Sequence, residues 1–221
     1  MKNFEPKSMY SLDKTIAADI FEGVNAPWEV LPKISDFILK LGETLLSDKF
    51  DKIGDNIWIA KDANVFPSAY IAGPCIIDSG AEVRHCAFIR GNVIIGKGAV
   101  VGNSTELKNV VLFDNVQVPH YNYVGDSVLG YKAHMGAGSI TSNVKSDKTL
   151  VTIKNEDTRI ETGFKKFGAM VGDLVEVGCG SILNPGTVIG KNASIYPLSS
   201  VRGTVEENSI YKNCGEVVTR K

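Results

Sequence analysis

His120, in the run Pro119-His120-Tyr121-Asn122-Tyr123-Val124-Gly125-Asp126, is the residue whose type and setting most directly offer chemistry. An imidazole titrates near neutrality, so it can take a proton in one step and return it in the next. Glu106 can accept a hydrogen bond from the far ring nitrogen and fix the tautomer, the part a carboxylate plays in a triad. Small residues at Gly136-Ala137-Gly138 clear space for a backbone N–H beside a developing oxyanion. Arg90 offers a planar fork for phosphate oxygens, while Lys108 and Lys148 supply point charges. The set suits acyl transfer to an amine, which attacks a thioester only when neutral and must pass a proton to a base.

These residues sit within a repeat of six. Aliphatic side chains lead each hexad at Ile59, Val65, Ile71, Ile77, Val83, Ile89, Ile95, Val101 and Leu107. Four residues after each leader stands a small or β-branched one, from Ala63, Ala69 and Cys75 through to Val111. The frame slips at Leu112 and at Leu129, and returns at Val171, Val177, Leu183, Ile189, Ile195 and Val201. A period of six fits neither a 3.6-residue helix nor a two-faced sheet. It fits coils of three short strands with the aliphatic residue on the axis and the small one at the corner. The expected fold is all-β: a left-handed parallel β-helix of hexapeptide repeats, with an N-terminal helical cap and an inserted hairpin.

The expected organisation is a lead-in over 1–58, β-helix over 59–140, an inserted hairpin over 141–170, β-helix again over 171–205, and a polar tail over 206–221. Within the lead-in, Val30, Ile34, Phe37, Ile38 and Leu41 share one helical face across residues 27–46. That helix is expected to cap the open end of the solenoid, whose edge strands need cover. A partner-binding helix is the alternative. Thr149 to Ile153 and Thr158 to Thr162 flank Asn155-Glu156-Asp157 and predict a projecting hairpin.

Charge excludes some classes. The 221 residues hold 24 Lys plus Arg and 25 Asp plus Glu, so there is no footprint for nucleic acid. No apolar run approaches a membrane span and Met1 to Pro6 lacks a signal-peptide core, so neither a membrane nor a secretory route is expected. Cys75, Cys86, Cys179 and Cys214 form no C-x-x-C pair and read as free thiols of a reducing cytoplasm. A three-histidine metal site needs spacings of one coil, roughly 18 residues. His85, His120 and His134 are 35 and 14 residues apart, so no metal is expected.

Arg90, Val101-Gly102-Asn103-Ser104-Thr105-Glu106-Leu107-Lys108, His120 to Asp126 and Gly136-Ala137-Gly138-Ser139-Ile140-Thr141-Ser142-Asn143 follow the pattern R, VGNxxExK, HxxYxGD, GAGTITxN. This resembles the acetyltransferase domain of bacterial bifunctional UDP-N-acetylglucosamine pyrophosphorylase/glucosamine-1-phosphate N-acetyltransferase and its archaeal relatives. The resemblance implies that His120 is the base, that Arg90, Lys108 and Lys148 hold the sugar phosphate, and that Tyr123 and Asn143 contact the sugar. It implies acetyl-CoA as co-substrate, with Ala137 near the thioester, and a homotrimer that builds its site between subunits. His134 stands where the family has a sugar-contacting Asn. Cys179 and Pro197 stand where it has a CoA-contacting Ser and Ala, and Cys214 where it has an Arg, with Lys212 as the nearby substitute. The family's nucleotidyltransferase domain, with its G-x-G-T-x-M segment, has no counterpart in this sequence. The expected activity is acetyl-CoA-dependent N-acetylation of a hexosamine-1-phosphate. A non-catalytic sugar-phosphate-binding or regulatory protein that has lost its donor site is the competing reading.

Overall fold

The hexads stack as expected. The computed structural model describes residues 4–155, 158–212 and 216–219, and the chain winds through about eight turns of a β-solenoid. Each coil has three faces, and the hexad leaders align between coils. On the first face Val65, Val83, Val101 and Val118 pair in register. On the second, Ile71, Ile89, Leu107 and Val124 do so. The third carries Ile59, Ile77, Ile95, Leu112, Leu129, Val171, Ile189 and Val205. From Ile77 onward the third-face residues are sealed from solvent and form the axial core.

The two frame slips are structural. Between Leu107 and Leu112, and again between Val124 and Leu129, five residues do the work of six. The chain therefore runs unbroken round the corner as the strands Glu106–Leu112 and Tyr123–Leu129, fusing the second and third faces into one 14-stranded sheet. Asn109 and Asp126 make these tight corners at φ 55 and 48, a left-handed conformation that Asn and Asp tolerate better than most residues.

The helices of the lead-in depart from their expected position. Pro27–Lys33 is a 3-10 helix, followed by an α-helix at Ile34–Gly42; Pro32 lacks the N–H that a regular α-helix would use there. The pair lies along the third face, against Cys75–Ile77, Val93–Ile95, Glu106–Leu112 and Tyr123–Leu129, rather than over an open end. The reason is in the third-face strands. Ile76, Ile94, Val111, Val128, Met170 and Val188 alternate with the axial residues, so they point outward, yet all are fully buried. The matching outward positions of the first face are Glu82, Val100, Gln117, His134, Glu176 and Ser194, mostly polar. A strand that is apolar on both sides needs two covers. The open edges are closed instead by antiparallel strands, Phe50–Lys52 on Ile57–Ala60 and Val217–Thr219 on Ser209–Tyr211.

The hairpin forms at Thr152–Asn155 and Thr158–Glu161, but it folds back rather than projecting. Val151 and Ile153 are fully buried, and Thr204 Oγ1 lies 3.1 Å from Asn155 Oδ1.

Asp173 fastens the lead-in to the solenoid. Its buried carboxylate accepts from Ser11 N and Oγ, both at 2.7 Å, and from Tyr131 N at 2.8 Å. It also faces Lys191 Nζ at 3.3 Å. Tyr10 packs beside it between Phe21 and Phe113, with a buried hydroxyl that has no partner among the described residues. Burial first, then the Asp173 charge, holds that phenol's pKa well above its ordinary value. Removing the acceptor strands several donors, whereas removing the unpartnered hydroxyl strands nothing. Asp173→Ala should therefore lower unfolding free energy by about 3 kcal/mol, and Tyr10→Phe should leave it unchanged or raised by about 1 kcal/mol. Urea denaturation of the two variants checks both signs.

Candidate active site

Stacking turns sequence distance into columns. His85, Asn103, His120, Ala137, Cys179 and Pro197 occupy one position on successive coils, at the corner between the first and second faces. The ladder Ser104 N to His85 O, Tyr121 N to Asn103 O, Gly138 N to His120 O, Gly180 N to Ala137 O and Leu198 N to Cys179 O runs through them. The structure thus brings His120 together with the expected donor-side residues Ala137, Cys179 and Pro197. His120 ends the strand Gln117–His120 and is exposed; its ring has no hydrogen-bond partner among the described residues. Lys212 continues the same edge, one position short of the column, with Tyr196 N bonded to Tyr211 O. Its ammonium meets Glu216 at 3.0 Å. Cys214 lies outside the described residues.

A second column stands at the far edge of the second face: Arg90, Lys108, Gly125, Ser142, Asn184 and Arg202. Arg90 N bonds Leu107 O, Ser142 N bonds Leu183 O and Asn184 N bonds Val201 O, and Lys108 pairs with Gly125. The shortened corner brings polar side chains to it. Asp126, almost fully buried, lies 3.5 Å from Lys108 Nζ and accepts from Asn109 Nδ2 at 3.0 Å and from Asn143 Nδ2. Asn143 also meets the Tyr123 hydroxyl at 3.2 Å. Desolvation, then the charges of Asp126 and Glu106, pushes the Tyr123 phenol above its usual range, so it remains a neutral donor. A Cβ on Gly168 would collide with the Gly125 carbonyl, which holds the chain close behind the Asp126 corner. Arg90, Lys108, Tyr123 and Asn143 are therefore one cluster, the grouping the resemblance implied. Asp126 at its centre belongs to the His120–Asp126 motif and is a functional residue that the sequence reading leaves unassigned. Its signal was an acid at a corner one residue short.

Three assignments change. Glu106 does not orient His120; its carboxylate holds Arg90 Nη1 at 2.6 Å, and that bond is the main cause of the raised Arg90 pKa. On the coil Glu106 stacks with Phe88 and Tyr123, three positions from the His120 column and about 10 Å along extended chain. His134 sits on the first face, paired with Gln117 and Glu176, and its Nδ1 lies 2.8 Å from Glu176 Oε2. It is thus on a different side of the coil from the Arg90 cluster. Lys148 turns outward in an exposed loop at φ 61, and Lys145 is the lysine of that loop that lines a cavity with Ser142 and Asn184. Among the described residues no group of His, Cys, Asp and Glu is arranged to hold a metal, and no helix is long and apolar enough to cross a membrane.

Known proteins share this architecture. The family described as the GMPPB C-terminal domain matches residues 71–171. A protein of Methanococcus maripaludis named bifunctional protein GlmU is 34% identical over 204 residues, covering 90% of this chain and 49% of its own. A bifunctional sugar-1-phosphate nucleotidylyltransferase/acetyltransferase of Sulfurisphaera tokodaii is 33% identical over 161 residues, covering 73% of this chain and 40% of its own. The solved structure of the polySia specific acetyltransferase NeuO aligns with a TM-score of 0.50 at 14% identity, over 75% of this chain and 76% of that one. Repeat and coil define a hexapeptide-repeat β-helix protein. Within that class the chain is GlmU-like, and it spans about half the length or less of these curated relatives.

Because Asp126 gathers Lys108, Asn109 and Asn143, its loss should cost more than the loss of any one partner. Asp126→Ala should destabilise the chain by about 3 kcal/mol, and Asn143→Ala by about 1 kcal/mol. Chemical denaturation of the two variants would show comparable losses if the carboxylate is not the hub.

Proposed function

We propose that the chain N-acetylates a hexosamine-1-phosphate, such as glucosamine-1-phosphate, with acetyl-CoA as donor. The observation that carries this reading is the pairing of two columns on the edges of one uncovered face, a free imidazole at one and a cationic, hydrogen-bonded cluster at the other. A sugar phosphate held by Arg90 and Lys108 would lie over Tyr123 and Asn143, with its amine directed towards His120. The amine nitrogen attacks the thioester carbonyl, the C–S bond breaks and CoA leaves as its thiol. His120 takes a proton from the attacking nitrogen and returns it to the departing thiolate, and a backbone N–H near Ala137 faces the oxyanion. GlmU-like kinship supports sugar acetylation; the acceptor is the part this reading adds. A cytoplasmic setting goes with it, where free thiols persist.

Pro197 favours the competing, non-catalytic reading, because it removes a backbone N–H from the donor column. Thiol release separates the two. The chain mixed with acetyl-CoA and glucosamine-1-phosphate should release CoA thiol. His120→Ala should slow release by roughly 10²- to 10⁴-fold with little change in sugar-phosphate affinity. Arg90→Ala should mainly raise the acceptor KM. Absence of thiol release with every amino-sugar phosphate tried would leave the binding-protein reading standing.

The same reading includes a homotrimer. The second face carries Tyr70, Phe88 and Ile182 in its outward column, each at least two-fifths exposed, with Leu198 at its edge 80% exposed. The third face is covered by the lead-in and the hairpin, so the second is the apolar side left open. In a trimer His134 would enter a site only through a neighbouring copy. Light scattering should report three times the 23.9 kDa chain mass, and Phe88→Glu should dissociate the assembly. A stable monomer at micromolar concentration would rule the trimer out.

A further inference from the structure

A cavity of about 510 Å³ lies between the folded-back hairpin and the late coils. Its lining carries four cations, Lys145, Lys154, Arg159 and Arg202, against one carboxylate, Asp147. Asp147 is already engaged by Lys145 Nζ at 3.3 Å and by Thr149 N at 3.0 Å. Lys154, Arg159 and Arg202 have no acidic partner among the described residues. Lys154 and Arg159 also stand directly opposite each other across the hairpin, where like charges destabilise and opposite ones are the ordinary choice. Arg202 comes from a third element, the corner two coils above Ser142 in the column described above. Three cations that have no acidic partner among the described residues converge on one concavity from separate elements and form a trap for a multiply charged anion.

This anion is not the acceptor phosphate of the proposed reaction. Arg202 stands four coils beyond Lys108, about 19 Å at the spacing of stacked strands. We propose that the cavity is a diphosphate-binding site. A diphosphate carries about two to three negative charges at neutral pH, which matches three converging cations better than a single phosphate does. Two sources offer that chemistry, the diphosphate of CoA and that of a nucleoside diphosphate or nucleotide sugar. The proposal rests on charge placement alone, so it stands or falls independently of acetyl transfer.

The test is calorimetric titration of the full chain with pyrophosphate at low ionic strength. The expected result is binding tighter than about 1 mM that weakens as salt rises. A variant carrying Lys154→Gln, Arg159→Gln and Arg202→Gln should lose at least tenfold in affinity. All three side chains are exposed and two of them repel each other across the hairpin, so the variant should unfold at the parent's temperature or slightly above it. A control with Lys33→Gln, Lys40→Gln and Lys49→Gln removes the same charge from the exposed lead-in and should bind like the parent. Displacement of pyrophosphate by CoA, or by UDP, would support the site and identify its source. Undetectable pyrophosphate binding, equal affinity in the cavity variant, or an equal loss in the control would overturn the proposal.

Discussion

Everything in this protein depends on coils stacking in register at the spacing of hydrogen-bonded strands. Once an aliphatic leader occupies the axis, each outward position is fixed to recur one coil later, about 4.8 Å away. The axial residues supply the apolar burial, and the backbone ladder fixes which outward side chains meet. A slip by one residue would turn the leaders outward on that strand. The core therefore selects the neighbours of every functional residue, although none of those residues belongs to it.

The two shortened corners exploit this rigidity. In the regular coil, Ile89 to Ile95 leaves room at the corner for Gly91 and Asn92, both with positive φ. Removing one residue after Leu107 and after Val124 tightens the bend and leaves one left-handed residue at each, Asn109 and Asp126. Asp126 thereby falls behind the outer surface, where its charge needs several donors. Asn109, Asn143 and Lys108 provide them, and Asn109 Nδ2 also reaches Leu31 O at 3.3 Å in the lead-in. The buried acid thus links the acceptor-side cluster to the cover on the third face.

This logic explains what was legible beforehand. The hexads declared the solenoid, and the resemblance grouped Arg90 with Lys108 and Tyr123 with Asn143; in the coil these groupings correspond to spacings near one turn, as do Asp126 with Asn143 and His120 with Ala137. The same rule disqualifies Glu106 as the partner of His120, since 14 residues is not one coil, just as it disqualified a three-histidine metal site. Lateral docking was harder to read. Hexads describe the inward pattern only, and neither the lead-in nor the hairpin repeats. Their cue was the doubly apolar strands Cys75-Ile76-Ile77 and Val93-Ile94-Ile95, which mark a face buried on both sides. That cue places the lead-in helices along the third face and leaves the open edge to Phe50–Lys52.

Coverage then decides where chemistry can occur. The first face is polar outward and can remain wet. The third is sealed by helices and hairpin. The terminal edges are closed by antiparallel strands, which removes the template for uncontrolled strand addition. Among the described residues, the second face is the one that combines exposed apolar side chains, an unpartnered imidazole at one edge and a row of cations at the other. A ligand laid across that face can touch both columns without displacing any packed element. The column also passes the hairpin, whose insertion after the fifth coil places Lys154 and Arg159 beside Arg202. An insertion anywhere else in the repeat would have put those charges against a different corner, so the position of the interruption, as much as its residues, determines which part of the surface becomes cationic.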